Sequence, residues 1–208
     1  MREDEPALKR KLAQGLEILN LALNAPQQEA LWAYLELLQK WNAVYNLTAI
    51  TATEEMLTHH LLDSLAIHPH LTAQTYLDIG TGAGLPGIPL AIVFPEKQFT
   101  LVDSNSKKTG FLLEIVRQLG LKNVTVQHAR IESLPQGQYD GVLSRAFASL
   151  QDFIRVGTPQ LKSQGCLLAM KGPKVKEELQ DMSDVGALYP IAVPFLNEQR
   201  FLYVMKVD

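Results

Sequence analysis

The stretch Asp78-Ile-Gly80-Thr-Gly82-Ala-Gly84-Leu-Pro-Gly87 is the part of this sequence best equipped for chemistry. It lies between a short apolar run and a helical one. Glycines there let the chain turn tightly and let a ligand touch the backbone. The following helix start, from about Ile88, is expected to offer free N–H groups to an anionic end of that ligand. Gly82 to Gly87 alone fits the generic G-x-G-x-x-G spacing, a weak signal by itself. Two carboxylates sharpen it. Asp78 lies two residues before the first glycine. Asp103 ends the next apolar run, 23 residues after Gly80, where a carboxylate can accept both hydroxyls of a ribose and disfavours a 2′-phosphate. A nicotinamide dinucleotide and S-adenosylmethionine both fit such a loop. Asp78 favours the second, because it is expected beside the methionine ammonium and would repel a pyrophosphate. A purely structural turn, with Asp103 capping a helix, is the bland alternative.

Other reactive side chains are less focused. Four of the five histidines, His59, His60, His68 and His70, lie within twelve residues, with Asp63 among them. A zinc site needs three or four converging ligands. His68 and His70 straddle Pro69, where convergence is hard to arrange, so no metal is expected. His60 and Asp63, three apart on a helix, read as a structural or substrate-facing pair. Basic residues cluster at Lys9-Arg10-Lys11, at Lys107-Lys108, and at Lys171 with Lys174 and Lys176. Any could contact phosphates, but each reads first as an ordinary solvated face. Lys171, after a strand at the ligand edge, is the preferred one. Cys166, the only cysteine, lies in an apolar strand and reads as packing.

These residues must be positioned by a chain of 208 residues, 47% hydrophobic and 20% charged, the composition of one ordinary globular domain. Nineteen basic against 22 acidic residues give a net charge of −3, which excludes nucleic-acid binding by bulk charge but not through a local patch. One cysteine excludes an intramolecular disulfide. The opening Met1-Arg-Glu-Asp-Glu-Pro6 does not read as a secretory leader. The longest apolar run, about Gly87 to Phe94, is far short of the roughly 20 residues that cross a bilayer. A cytoplasmic location without membrane attachment is expected.

Residues 1–72 read as a helical N-terminal extension. Leu8 to Leu23 is weakly periodic. A second helix starts near Pro26 and places Leu31, Leu35 and Leu38 on one face. A third runs from about Thr53 to Ile67, with Thr51 and Glu54 at capping-box spacing. Residues 73–208 read as one compact Rossmann-like unit. Strands are expected at 76–79, 99–103, 124–128, 141–144, 166–170, 191–195 and 201–205, and a helix over 106–119. Strands alternating with helices imply a mostly parallel sheet. The last two strands lie too close for a crossover and are expected antiparallel, turning at Asn197-Glu198-Gln199. The fold class is α/β, a seven-stranded, mostly parallel sheet of the class I S-adenosylmethionine-dependent methyltransferase kind with a helical extension.

The glycine loop, with Leu85-Pro86-Gly87, resembles that of the bacterial ribosomal RNA small subunit methyltransferase G family (RsmG). Four more stretches are similar to the same family, in its order: Trp41 to Thr48, His60-Leu-Leu-Asp-Ser64, Val102-Asp-Ser104 with Lys107 and Lys108, and Ser144-Arg-Ala-Phe-Ala-Ser149. Lys108 departs from the arginine more often expected there. The matches span about residues 40–172.

The resemblance implies methyl transfer from S-adenosyl-L-methionine to N7 of one guanine in 16S ribosomal RNA of the small subunit. It places Gly80, Leu85, Ile131 and Glu132 along the cofactor, Asp103 at its ribose, and Arg145 between cofactor and guanine, with Ser104 in the cofactor-binding set. Asp78, Gly82 and Gly84 complete the expected cofactor set. Guanine N7 carries a lone pair and no proton, so no general base is expected. Alignment for in-line displacement supplies most of the rate. Arg145 is expected to bond guanine O6 and Phe147 to stack on the base, although Phe147 reads equally as a core residue. A monomer without an obligate protein partner is expected. Three other functions fit part of the pattern: a small-molecule methyltransferase, an RNA-binding assembly factor that holds S-adenosylmethionine without turnover, and, more distantly, a nicotinamide dehydrogenase.

Overall fold

The computed structural model describes residues 4–145, 147–182 and 186–207. Met1 to Glu3 of the opening stretch, Ala146 of the Ser144–Ser149 stretch and the final Asp208 lie outside the described residues. Seven strands form one sheet: β1 (Thr75–Ile79), β2 (Gln98–Asp103), β3 (Val124–His128), β4 (Tyr139–Ser144), β5 (Leu161–Lys171), β6 (Ala187–Ile191) and β7 (Arg200–Lys206). Their order is β3-β2-β1-β4-β5-β7-β6. The first five are parallel, and β7 runs antiparallel to both β5 and β6. The expected seven-stranded sheet with a reversed final pair is therefore present. The sixth strand is displaced, however. It covers 187–191 rather than 191–195, because a Pro-led turn at Val193–Leu196 takes up the apolar residues that resembled a strand.

Side chains alternate between the two faces of each strand, and two cores result. Tyr76, Phe99, Leu101, Leu143, Leu168 and Leu202 face one way. They pack against α1 (Glu5–Ile18), α2 (Ala25–Tyr45), α5 (Gly87–Val93) and α6 (Ser106–Leu119). Leu77, Ile79, Val102, Val142 and Leu167 face the other way, onto α7 (Leu150–Gly157) and Val175 of α8 (Val175–Glu178). Leu31, Leu35 and Leu38 of α2 are wholly buried, as their one-face spacing predicts. Asn24 caps α2, with Gln27 reciprocating. The expected capping box at Thr51 and Glu54 does not form. Ala52 starts that helix and supplies no side-chain cap.

The expected helix over 53–67 is divided. α3 (Thr53–Met56) passes into a π-helix, Leu57–Leu62, and then into α4 (Asp63–Leu65). Met56 and Leu57 recur five residues on as Leu61 and Leu62, and all four are wholly buried. That repeat suits an i→i+5 turn rather than an α-helical one.

The helical N-terminal segment is fastened to the glycine loop. The Tyr34 hydroxyl, wholly buried on α2, donates to the Ala83 carbonyl at 2.7 Å. Tyr34→Phe leaves that buried carbonyl without its donor and should cost about 1–3 kcal/mol. Thermal unfolding checks this, with an expected shift of roughly 2–4 °C per kcal/mol for a chain of this size.

Candidate active site

The strand ends decide where the glycine loop sits. β1 delivers Asp78 and Ile79 at its carboxyl edge, and β2 delivers Asp103 beside them. Asp78 is wholly buried under the loop. Its Oδ2 accepts from the Thr81 hydroxyl at 2.7 Å and from the Gly87 N–H at 2.9 Å. Gly80, Gly82 and Gly84 all have φ between +61° and +90°, the left-handed region that glycine enters without strain. Gly87 is required for another reason. A Cβ there would lie 2.2 Å from Leu101 and 2.8 Å from Asp78 Oδ2. The first N–H of α5 is thus already taken by Asp78, and the next, of Ile88, donates to the Gly84 carbonyl. The helix start does not offer the free N–H groups that the sequence pattern suggested.

A cleft of about 300 Å³ opens beside the loop. Among the residues singled out from sequence, Gly80, Asp103, Ser104, Ile131, Glu132 and Phe147 line it. Arg130, which carried no sequence signal, lines it too. Asp78, Gly84 and Leu85 are instead buried in the loop's support, and Gly82 donates its N–H to Asp103 Oδ2 at 3.0 Å. Asp103 Oδ1 accepts from the Asn105 N–H at 2.8 Å. Each Asp103 oxygen accepts one bond and keeps a second lone pair.

These residues fit S-adenosylmethionine. The Asp103 carboxylate retains acceptor capacity for a ribose diol. A Cβ on Gly80 would meet nothing within 4 Å, so the cleft is open over the loop. Ile131 and Phe147 add apolar walls. A pyrophosphate fits less well, since Asp78 occupies the helix start it would need.

A second pocket, also about 300 Å³, adjoins across the segment after β4. His59, His60, Asp63, Arg145, Lys171 and Arg200 line it. Arg145 Nη1 donates to the His59 carbonyl at 2.9 Å and lies 3.4 Å from His60 Nδ1 and 3.6 Å from Asp63. His60 and Asp63 are therefore not bonded to each other in a pair. Arg145 stands between them, and His60 Nε2 meets the Thr48 hydroxyl at 2.9 Å. Arg200 Nε is 3.4 Å from Asp63 Oδ1, close enough for ion pairing but too poorly aligned for a hydrogen bond. Arg200 is a residue sequence reasoning missed. Only the antiparallel pairing of Lys171 with Phe201 brings it beside the end of β5. Phe147 packs on Phe153 at 5.6 Å between ring centroids, and its carbonyl accepts from Lys171. Lys171 is also paired with Glu178 at 3.0 Å. His68 turns away to the Leu19 carbonyl and His70 to the Tyr189 ring. Among the described residues no three His, Cys, Asp or Glu side chains converge as metal ligands.

An open sheet in this strand order, with a glycine turn after its first strand and a carboxylate ending the second, defines a Rossmann-like methyltransferase. By fold the chain resembles a methyltransferase from Aquifex aeolicus described as dependent on S-adenosylmethionine. The TM-score is 0.57 and the identity 21%, over 74% of this chain and 93% of that one. An S-adenosylmethionine-dependent O-methyltransferase from Thermotoga maritima gives 0.54 at 15% identity, over 70% and 65%. The sequence is more specific. It matches the family described as rRNA small subunit methyltransferase G over residues 27–200. A ribosomal RNA small subunit methyltransferase G from Marinomonas sp. (strain MWYL1) is 46% identical over 198 residues, covering 93% of this chain and 95% of the relative. Another, from Pseudomonas aeruginosa (strain LESB58), is 47% identical over 202 residues, 94% of each. The chain belongs to the ribosomal RNA small subunit methyltransferase G family, and it is a methyltransferase.

Burial gives two site residues opposite pH behaviour. It pushes the Asp78 carboxyl up to about 7. Burial, aided by the Arg145 guanidinium, lowers the His60 imidazole to about 4. Asp78 binds its proton more tightly folded than unfolded. Its contribution to stability is complete below about pH 4 and is lost as the pH rises through about 7. The His60 contribution is present above about pH 6.5 and lost as the pH falls through about 4. Asp78→Asn should therefore gain on the parent in urea unfolding as the pH rises from about 4 to about 7. A gap between the two that does not change with pH would contradict this.

Proposed function

We propose that the chain transfers the methyl group of S-adenosyl-L-methionine to N7 of a specific guanine in 16S ribosomal RNA of the small subunit. The observation that carries this is the abutment of two pockets at one sheet edge. One is lined by Gly80, Asp103, Ile131 and Glu132, the other by Arg145, Asp63 and Arg200, with Arg145 and Phe147 on the segment between them. Family membership supports the RNA substrate.

When bound, S-adenosylmethionine supplies a methyl on a positively charged sulfur. Asp103 holds the ribose hydroxyls, and Gly80 leaves room beside it. Arg145 is anchored through one nitrogen by the His59 carbonyl, which leaves other guanidinium N–H groups for guanine O6. The Phe147 ring, backed by Phe153, walls the cofactor cleft. Guanine N7 has no proton to remove, and His60, whose basicity burial lowers, is a poor general base, consistent with a site that positions rather than deprotonates. We assign the protein to the cytoplasm, as a monomer, with residues 1–72 as a helical extension of the methyltransferase unit 73–208. No helix among the described residues is long and apolar enough to cross a membrane.

Incubation with labelled S-adenosylmethionine and unmodified small subunits should place N7-methylguanine at one position. Label in a metabolite extract but not in RNA would favour a small-molecule methyltransferase, and binding without transfer an assembly factor. Arg145→Ala should lower transfer by at least about 100-fold while the fold persists. Activity within a few-fold of the parent would remove Arg145 from the site. Asp103→Asn should weaken S-adenosylmethionine binding by about 10- to 100-fold in calorimetry.

A further inference from the structure

Phe195 breaks a local rule. The Leu196 N–H donates to the Val193 carbonyl at 3.2 Å, which closes a four-residue turn over Val193-Pro194-Phe195-Leu196. Pro194 takes the second position, where its fixed φ is favoured. Phe195 takes the third with φ +64°, a conformation such turns reserve for glycine or asparagine. A bulky aromatic residue there is strained.

Core packing does not explain the choice. Val193 is buried and Leu196 packs partly into the core, so the turn is anchored on both sides. The Phe195 ring points outward and is 44% exposed. One cation attends it, Lys11 Nζ, 5.2 Å from the ring centroid. Lys11 is itself ion-paired with Glu54 at 2.7 Å. Lys11 and Glu54 line a hollow with Ala52, two residues from Ile50, which lines the Arg145 pocket. On its other side the Phe195 turn leads within five residues to Arg200, at the same pocket. In sequence the turn thus lies close to two segments that line the pocket, and one cation, Lys11, stands over the ring.

We propose that Phe195 is a stacking platform for an unpaired base of the substrate RNA. An exposed phenyl face takes any base, and Lys11 beside it can meet a phosphate. Strain kept at an outward-facing aromatic residue is accounted for by a contact made only with a partner. The proposal rests on the reading of the site as one that acts on RNA.

Two substitutions separate stacking from a structural role. Phe195→Gly removes the ring and the strain together. It should leave the thermal midpoint equal to or above that of the parent, yet raise KM for unmodified small subunits by about 10- to 100-fold. S-adenosylmethionine affinity and kcat at saturation should stay within two-fold, roughly the precision of such measurements. Phe195→Trp should keep the parent KM, and its exposed indole fluorescence should be quenched by protein-free 16S ribosomal RNA but not by polyphosphate. An unchanged KM in Phe195→Gly overturns the proposal. Quenching by whole subunits but not by protein-free RNA also overturns it, in favour of a ribosomal protein contact. If the parent protein transfers no methyl to subunits, the reading of function fails, and the quenching titration still decides whether a base stacks on residue 195.

Discussion

The buried carboxylate of Asp78 determines the shape of the cofactor side of this protein. It sits at the end of β1 with no exposure and bonds both ends of the glycine loop, Thr81 at the start and Gly87 at the close. A carboxylate in that position fixes the loop from beneath and takes the first N–H of α5. It thereby selects against ligands that would lay a phosphate there. The glycines are consequences of this arrangement. Gly87 must lack a Cβ because Asp78 and Leu101 already fill the space, and Gly84 because Ile88 and Leu112 do.

The neighbouring pocket depends on a different balance. Asp63 is a buried carboxylate faced by two guanidiniums at 3.4 and 3.6 Å, distances longer than those of a well-formed charge-assisted hydrogen bond. It compensates charge without consuming the donors of Arg145 and Arg200. Arg145 is held mainly by a backbone carbonyl, that of His59, which the π-helical turn presents. His60 adds no charge, because burial keeps it neutral near pH 7. The pocket so formed is lined by three cationic side chains, Arg145, Lys171 and Arg200, and one carboxylate, Asp63, which suits a polyanion carrying a base rather than a small neutral acceptor.

The N-terminal segment supports both pockets. Through Tyr34 they hold the glycine loop, through Thr48 they hold His60, and through the 57–62 turn they hold Arg145. Lys11 reaches across to the C-terminal turn. Helix α1 and the Val193–Leu196 turn thus meet across the chain.

Where several local signals agree, the sequence alone determined the outcome. Helix α6 begins and ends where its signals lie, at the Asn105 cap and at Gly120, which turns the chain with φ +62°. The glycine loop, Asp103 and the parallel strands around them were legible because strand periodicity, turn chemistry and carboxylate spacing act within about 25 residues of chain. The edge strand β6 was misplaced because an edge strand, largely exposed, shows little apolar alternation, while the neighbouring Pro-led turn imitates it. The tertiary structure alone decided that Asp63, Arg145 and Arg200 meet, since their association depends on sheet register and a crossover rather than on spacing. It also decided that Asp78 supports the loop instead of lining the cleft. A side chain's environment is set by what packs over it, and that comes from distant parts of the chain.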